Sequence, residues 1–194
     1  MVTVAQDQKW ATMEQGRYAV QLAPSLTYEV DVPDQWRVYE GRFLNPPPSG
    51  ANSIFFVASA PADSTELPQH PCDDPSGTRV GPSVSDLAHA LRQQPVLEVS
   101  RPDPVTVDGN DGLYVDVRIP DEVDSSTCVD DTVALFSTGS DDWGWTEGFV
   151  GQWWILSVDG KRVVINGQCD PACADHDFDA LTTMAESVTF PRAQ

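Results

Sequence analysis

The sharpest cluster of residues that could carry chemistry is Cys169-x3-Cys173-x2-His176, in the segment GQCDPACADHD. Two thiolates and an imidazole could bind zinc, with a neighbouring aspartate as the fourth ligand. The spacing is unusual for a zinc finger, however, and a second cysteine pair is missing. The sequence therefore favours a small disulfide ring with a surface histidine beside it, and we predict no metal and no cofactor.

The chain has four cysteines, Cys72, Cys128, Cys169 and Cys173, and all lie in polar segments rich in Asp and Pro. Reduced structural cysteines are usually buried among apolar neighbours, so this setting indicates disulfides. Three connectivities are possible. Cys169 and Cys173 are close enough to close a small ring, which leaves Cys72 for Cys128. Disulfides persist under oxidising conditions, so we predict an extracytoplasmic protein, secreted or anchored at the cell surface.

A second candidate site is the segment Asp141-Asp142-Trp143-Gly144-Trp145, which is rich in Gly and Asp and has the composition of a loop. Exposed aromatic residues in a loop are candidates for contact with a ligand or partner. We expect Trp143 or Trp145 to be at least partly exposed and predict a binding site at Trp143, Trp145, Asp141 and Asp142. The alternative is that the two tryptophans cover the edge of a sheet.

Recognisable catalytic motifs do not occur elsewhere in the chain. It contains no G-x-S-x-G nucleophile elbow, no Gly-rich phosphate loop and no dinucleotide fingerprint. Acidic pairs such as Asp130-Asp131 could serve acid–base chemistry, and acidic runs could bind calcium. Among 30 acidic residues, however, such pairs are expected by chance, and no EF-hand spacing occurs. We predict no catalytic residues.

Charge limits the possible partners. The 194 residues include 30 acidic and 11 basic ones, for a net charge of −19. A field of that sign repels phosphate backbones and anionic lipid surfaces, so nucleic acid and membrane-surface partners are disfavoured.

No apolar run is long enough for a membrane span. The first residues lack the pattern of a signal peptide. Either the protein is cytoplasmic or a leader or anchor has been removed, and the cysteines favour the second.

Hydrophobic periodicity places these residues on an α+β fold with a mainly antiparallel sheet. Ser83 and Asp86 indicate the start of a helix, and Asp159-Gly160 indicates a type I′ hairpin turn. The predicted strands are 28–32, 54–58, 105–107, 113–119, 132–136, 153–158 and 161–165, and the predicted helices are 84–94 and 177–187. Residues 60–82 read as a long irregular segment held by Cys72. Residues 1–17 read as an arm or leader remnant before one domain, 18–191.

Three segments resemble a known family. Residues 28–36, YEVDVPDQW, are similar to the opening strand and P-x-x-W turn of PsbP-like domains, the group that includes the LpqN-type actinobacterial lipoproteins. Residues 181–190, LTTMAESVTF, are similar to the terminal helix and strand of that group, and residues 77–87 resemble segments of secreted actinobacterial proteins. The resemblance implies an α/β/α sandwich, with a central antiparallel sheet flanked by helices, and a binding or accessory role without catalytic residues.

Together these observations predict a non-catalytic extracytoplasmic binding or accessory module. Its partner would be a protein, a small molecule or a glycan. The alternative is a secreted hydrolase or carbohydrate-active protein that uses acidic residues near Trp143 and Trp145.

Overall fold

The computed structural model describes residues 2–3, 10–23, 26–39, 43–47, 53–61, 64–138, 142–170, 173 and 175–191. The strands are β1 Val2–Thr3, β2 Ala11–Thr12, β3 Gly16–Ala23, β4 Leu26–Val32, β5 Arg37–Tyr39, β6 Phe43–Asn45, β7 Ser53–Ser59, β8 Thr65–His70, β9 Asp74–Arg79, β10 Glu98–Val99, β11 Asp103–Val107, β12 Asn110–Arg118, β13 Val133–Thr138, β14 Asp142–Trp145, β15 Val150–Val158 and β16 Lys161–Cys169. The helices are α1 Val84–Arg92 and α2 Asp175–Ser187.

Within these ranges the strands form three sheets. The large sheet has nine strands in the order β10-β12-β15-β16-β7-β6-β5-β2, with β11 also paired to β12. A three-stranded sheet has the order β1-β3-β4, and a small sheet has the order β14-β13-β8-β9. Every pairing is antiparallel except that of β1 with β3. The α+β class and the mainly antiparallel pairing are therefore confirmed.

The large sheet separates two hydrophobic cores. In the first core, residues of α2, β3 and β4 pack against one face of the sheet. In the second core, residues of α1 and the small sheet pack against the other face. The predicted flanking of the sheet by helices overstated their share, because each face is covered by one helix together with strands.

The hairpin of β15 and β16 forms the centre of the large sheet, because side chains on both of its faces are buried. Trp153 and Ile155 lie in the second core, whereas Trp154 and Leu156 lie in the first. Strands buried on both faces read as nearly continuous apolar runs, as these do. Asp159 and Gly160 have φ values of 48° and 73°, as a type I′ turn requires.

The predicted start of α1 is confirmed by a capping box. The Ser83 hydroxyl accepts a hydrogen bond from the Asp86 amide at 3.0 Å, and the Asp86 carboxylate accepts one from the Ser83 amide at 2.8 Å. These contacts satisfy amides that the first turn of a helix leaves without partners. Neither α1 nor α2 has the length and apolar character that a membrane span requires.

The prediction of an irregular segment over residues 60–82 was wrong, because β8 and β9 form an antiparallel pair there. The prolines misled the prediction, because Pro68 lies within β8 and Pro75 lies within β9. Pro68 pairs with Gly77 next to a register shift, and pairing of β8 with β13 reaches only Thr65 and Glu66. A proline lacks the amide that would continue a ladder.

The prediction of a loose arm was wrong for the described residues before position 18. β1 pairs with β3, β2 pairs with β5, and the Met13 side chain is buried in the first core. Residues 4–9 lie outside the described residues.

Both predicted disulfides are confirmed, Cys72–Cys128 and Cys169–Cys173. The first joins the turn between β8 and β9 to the segment before β13, where the Val129 amide donates to the Cys72 carbonyl at 2.9 Å. The second joins the end of β16 to the segment before α2. Because both thiols of the second pair are bonded to each other, they cannot act as the zinc ligands considered above.

Candidate functional site

Three residues of the predicted Trp and Asp site, Asp142, Trp143 and Trp145, lie in the edge strand β14 rather than in a loop. Trp143 is 8% exposed and belongs to the second core, whereas Trp145 is partly exposed, so the expectation that at least one of the two is partly exposed holds through Trp145. Asp141 lies outside the described residues. The backbone of Asp142 pairs with Ser137 of β13, and nothing is described of its side chain.

Trp143 is buried because it packs among aromatic rings of both sheets. Its ring stacks on Phe56 of β7, with centroids 4.3 Å apart, and on Phe136 of β13, with centroids 5.6 Å apart. Phe136 also meets Trp153 of β15 edge-on at 5.0 Å. The alternative interpretation, in which this tryptophan covers a sheet, is the correct one for Trp143.

A buried asparagine lies beneath these rings. Asn166 of β16 pairs directly with Phe56 on one side and Trp153 on the other, so all three side chains share one face of the large sheet. Trp143 stacks on Phe56, and Phe136 contacts Trp153 from the small sheet. The Asn166 side chain, which is 0% exposed, is thus enclosed by aromatic residues.

Gln168 lies two residues further along β16, on the same face, and is 2% exposed. Its partner in β15 is Gly151, which has no side chain. A Cβ atom at Gly151 would come within 2.8 Å of both the Phe149 ring and the Trp153 Nε1 atom. The glycine therefore makes room for the indole N–H of Trp153 beside Gln168. We call Phe56, Phe136, Trp143, Trp153, Asn166 and Gln168 the aromatic chamber.

The polar groups of the aromatic chamber lack hydrogen-bond partners. In the part of the chain that the structure describes, nine buried side-chain nitrogen or oxygen atoms have none, and five of them belong to Asn166, Gln168, Trp143 and Trp153. Both the nitrogen and the oxygen of the Asn166 side-chain amide are unpaired, so exchanging the two by a flip of the amide would not satisfy either atom. An unsatisfied buried group costs about 1–3 kcal/mol, and the large majority of buried polar groups in native proteins have a partner.

A polar residue at the start of the same strand face shows a different arrangement. The buried Arg162 donates hydrogen bonds from Nε to the Ala60 carbonyl at 2.9 Å and from Nη1 to the carbonyls of Gly81 and Ser83. Burial lowers the pKa of Arg162, and the nearby Asp86 carboxylate opposes that shift. Arg162 thereby ties β16 to the segment before α1. Backbone carbonyls thus serve Nε and Nη1 of Arg162, whereas its Nη2 and both side-chain atoms of Asn166 have no partner among the described residues.

A surface groove of about 330 Å³ borders the aromatic chamber on the small sheet. It lies between β8 and β13, where pairing between the two strands has stopped. The residues that line the groove include Glu66, Pro68, Pro71, Asp130, Phe136 and Trp143. Ligand cavities range from roughly 300 to 1,000 Å³, so the groove is at the small end. Trp143 and Phe136 belong to both the groove and the chamber.

Asn166 and Gln168 were not predicted as functional residues. The available signal was their position, since they alternate with Ile165 and Gly167 in an otherwise apolar strand and so point to the same face. Their chemistry becomes visible only when strands far apart in sequence meet around them. In the described ranges, no three His, Cys, Asp or Glu residues converge as metal ligands.

Comparisons with known proteins give a likeness in structure but none in sequence. No family model and no curated protein matches the chain. The fold is similar to the solution structure of cyanobacterial PsbP (CyanoP) from Synechocystis sp. PCC 6803, with a TM-score of 0.45 and 12% sequence identity. The likeness covers 91% of this chain and 92% of that chain.

Proposed function

We propose that this protein is a non-catalytic extracytoplasmic binding module that holds a small, uncharged ligand in the aromatic chamber. The observation that carries the proposal is the pair of buried amides, Asn166 and Gln168, three of whose side-chain atoms have no hydrogen-bond partner among the described residues. Buried polar groups in native proteins are normally paired, so a ligand that supplies the missing partners is the economical explanation.

The chamber favours a ligand with oxygen acceptors and flat apolar faces. The indole N–H groups of Trp143 and Trp153 can only donate, and the amide nitrogens of Asn166 and Gln168 add further donors. The rings of Phe56 and Phe136 offer apolar walls. The net charge of −19 disfavours an anionic ligand over a neutral one.

The extracytoplasmic location is supported by the two disulfides, since such bonds are rare in reducing compartments. A relation to the LpqN-type lipoproteins and an actinobacterial origin stay predictions from the short motifs at residues 28–36, 77–87 and 181–190.

A thermal-shift screen of neutral molecules tests the proposal. The library should include neutral saccharides, lactones and cyclic ketones, applied to the wild type and to an Asn166→Leu/Gln168→Leu double variant. A ligand that binds the folded state raises Tm, and above Kd the stabilisation grows with the logarithm of the ligand concentration. We expect at least one class to raise the Tm of the wild type and to leave that of the variant unchanged.

The control is Gln93→Leu, which replaces an exposed amide outside the chamber and should keep the full ligand response. The free energy of unfolding of the double variant should equal or exceed that of the wild type, because unpaired polar groups have been replaced by apolar ones. A ligand that shifts the wild type and the folded double variant equally would place the site elsewhere and contradict the proposal.

A hydrolase is the second candidate, and one observation favours it. The carboxylate residues Glu66 and Asp130 line the same groove as Trp143, where a bound sugar or ester would lie between them. The predicted contributions of Asp141 and Asp142 stay part of this candidate. Release of a chromophore from neutral aryl glycosides or esters, abolished by Glu66→Gln or Asp130→Asn, would support hydrolysis over binding alone.

A further inference from the structure

A second surface groove lies between α1 and the hairpin of β8 and β9. Its volume is about 460 Å³, within the range of roughly 300–1,000 Å³ that ligand sites occupy. The hairpin wall includes Gln69 and the consecutive residues 78–81, and the helix wall includes Asp86, Ala90 and Gln93. We call this cavity the α1 groove. It shares no residue with the aromatic chamber.

The α1 groove follows a single stripe of the helix. Leu87 and Leu91 are buried in the second core, so they hold α1 against the large sheet. Asp86, Ala90 and Gln93 are spaced by three or four residues and therefore share a different side of the helix, which borders the groove. From Asp86 to Gln93 the helix rises about 10 Å. That distance matches about three residues of an extended chain.

Both walls of the α1 groove are open to solvent. On the hairpin wall, the side chains of Gln69, Thr78 and Arg79 are exposed, and on the helix wall those of His89 and Gln93 are exposed. The groove is therefore accessible without rearrangement of the core.

β9 contributes an edge of backbone to the groove. It is the last strand of the small sheet, and among the described residues its backbone pairs only with β8. The Val80 amide donates to the Thr65 carbonyl at 2.9 Å, so the backbone groups of Val80 point toward β8. Successive residues of an antiparallel strand direct these groups to alternate sides, so those of Gly77 and Arg79 point to the free edge.

An edge strand of this kind is a template for another extended chain. Four consecutive residues, 78–81, line the groove, so the backbone of this segment borders it as well as the side chains. Pro75 lies within β9 and has no amide to donate, which limits the pairing to a short segment around residues 77–79.

Charge restricts the occupant. The net charge of −19 repels an acidic chain and attracts a basic one. The one arginine that lines the groove, Arg79, lies 3.7 Å from the Glu66 carboxylate, which partly compensates its charge. A basic extended segment is therefore the complementary partner.

We propose that β9 accepts an extended basic peptide segment as an added strand, with alternate side chains of the segment in the α1 groove. Amide and carbonyl groups of the segment would pair with those of Gly77 and Arg79. The exposed amides of Gln69 and Gln93 would contact its side chains from the two walls. This inference goes beyond the function proposed above, because the aromatic chamber takes no part in it.

Fluorescence anisotropy with labelled octapeptides tests the inference. The peptides carry lysine at both ends and random central residues, and they are screened as mixtures in which one position at a time is fixed. We expect defined mixtures to bind the full chain. In the best single peptide, N-methylation of alternate residues should abolish binding, while N-methylation of the intervening residues should not, because only one set of amides faces β9.

Arg79→Pro removes the outward amide of β9 and keeps the bonds to β8. We expect it to lower peptide affinity about tenfold, as loss of a backbone hydrogen bond implies, whereas Arg79→Gln keeps the amide and most of the affinity. Gly77 stays unchanged in these variants, because a Cβ atom there would come within 2.6 Å of the Glu66 Cβ atom.

Ala90→Leu is an independent variant that fills the groove from the helix wall and should also weaken binding. Leucine is a good helix former, so the fold should persist. Arg92→Gln is the control, because it removes the same charge as Arg79→Gln from an exposed position of α1 outside the groove. Asn166→Leu/Gln168→Leu should leave peptide affinity unchanged, which separates this site from the aromatic chamber.

The other results overturn the inference. They are the failure of every mixture to bind, and binding that survives both Arg79→Pro and Ala90→Leu in folded protein. Equal losses for Arg79→Pro and Arg92→Gln would show attraction by net charge alone. A wild-type dimer in sedimentation that Arg79→Pro converts to a monomer would assign the edge of β9 to a second copy of the chain instead of a peptide.

Discussion

Trp143 is a core residue in the structure, although the sequence offered it as one of two candidates for exposure. Its ring is stacked against Phe56 and Phe136, so truncation leaves a cavity between the two sheets. We expect Trp143→Ala to lower the free energy of unfolding by about 3–5 kcal/mol in urea denaturation. Trp10→Ala, at an exposed indole, should change it by less than about 0.5 kcal/mol. Equal effects at the two positions would show that Trp143 is not part of the core.

Tyr28 sets a limit on stability at high pH. Its side chain is 0% exposed, its hydroxyl has no hydrogen-bond partner among the described residues, and burial raises its pKa well above the ordinary value of 10.0. The unfolded chain loses the phenolic proton near pH 10 while the folded chain keeps it. Stability from this group is therefore complete below pH 10 and decreases above it, by about 1.4 kcal/mol per pH unit.

The prediction is that Tyr28→Phe flattens the loss of stability above pH 10 and leaves stability near pH 7 equal or higher, because an unpaired hydroxyl is removed. Urea denaturation at several pH values measures both effects. An unchanged slope above pH 10 would mean that the hydroxyl reaches solvent in the folded state.

At the scale of elements, we expect the two disulfides to contribute unequally to the free energy of unfolding. Cys72–Cys128 closes a loop with a sequence separation of 56, and Cys169–Cys173 closes one of 4. From chain entropy we expect Cys72→Ser/Cys128→Ser to cost about 4 kcal/mol and Cys169→Ser/Cys173→Ser about 2 kcal/mol. Denaturation of the two double variants under identical conditions gives the comparison. A larger loss for the short ring would show that strain or contacts, rather than loop length, set the order.

Elements with local signals were predictable. The Asp159-Gly160 turn and the Ser83 cap depend on a few neighbouring residues, so the hairpin of β15 and β16 and the helix α1 were predicted near their observed bounds. β14 was missed because Gly144 resembles a loop residue. In the structure that glycine is needed in a strand, since a Cβ there would come within 2.9 Å of the Thr132 hydroxyl.

The candidate site was only partly predictable for the same reason. Trp143 was selected from the sequence, but for its expected exposure rather than its packing. Asn166 acquires meaning only from Phe56, Phe136 and Trp153, which come from three other strands. No short-range pattern encodes that juxtaposition.

At the scale of the whole molecule, the net charge of −19 acts on every folded conformation. Like charges crowd together on folding, so self-repulsion opposes the compact state and salt screens it. We expect Tm to rise as NaCl increases from about 10 mM to about 300 mM, where the Debye length falls from about 30 Å to below 8 Å. Differential scanning calorimetry at constant pH measures the trend.

A fall in Tm over that range would show that local ion pairs outweigh the repulsion. The strongest candidate for that role is Arg17, which contacts Glu29 and Asp31 at 3.0 Å each. Arg17→Gln should then remove most of the decrease. If Tm instead rises with NaCl, as we expect, Arg17→Gln should leave the sign of the salt dependence unchanged.

Alternation along β16 has a consequence for how this protein can evolve. Val163, Ile165 and Cys169 belong to the first core, whereas Val164, Asn166 and Gln168 face the second. Mutations at the two sets of positions touch different neighbours, and effects at sites without shared partners are close to additive. Selection or directed evolution can therefore vary positions 164, 166 and 168 while the opposite face continues to hold the domain together.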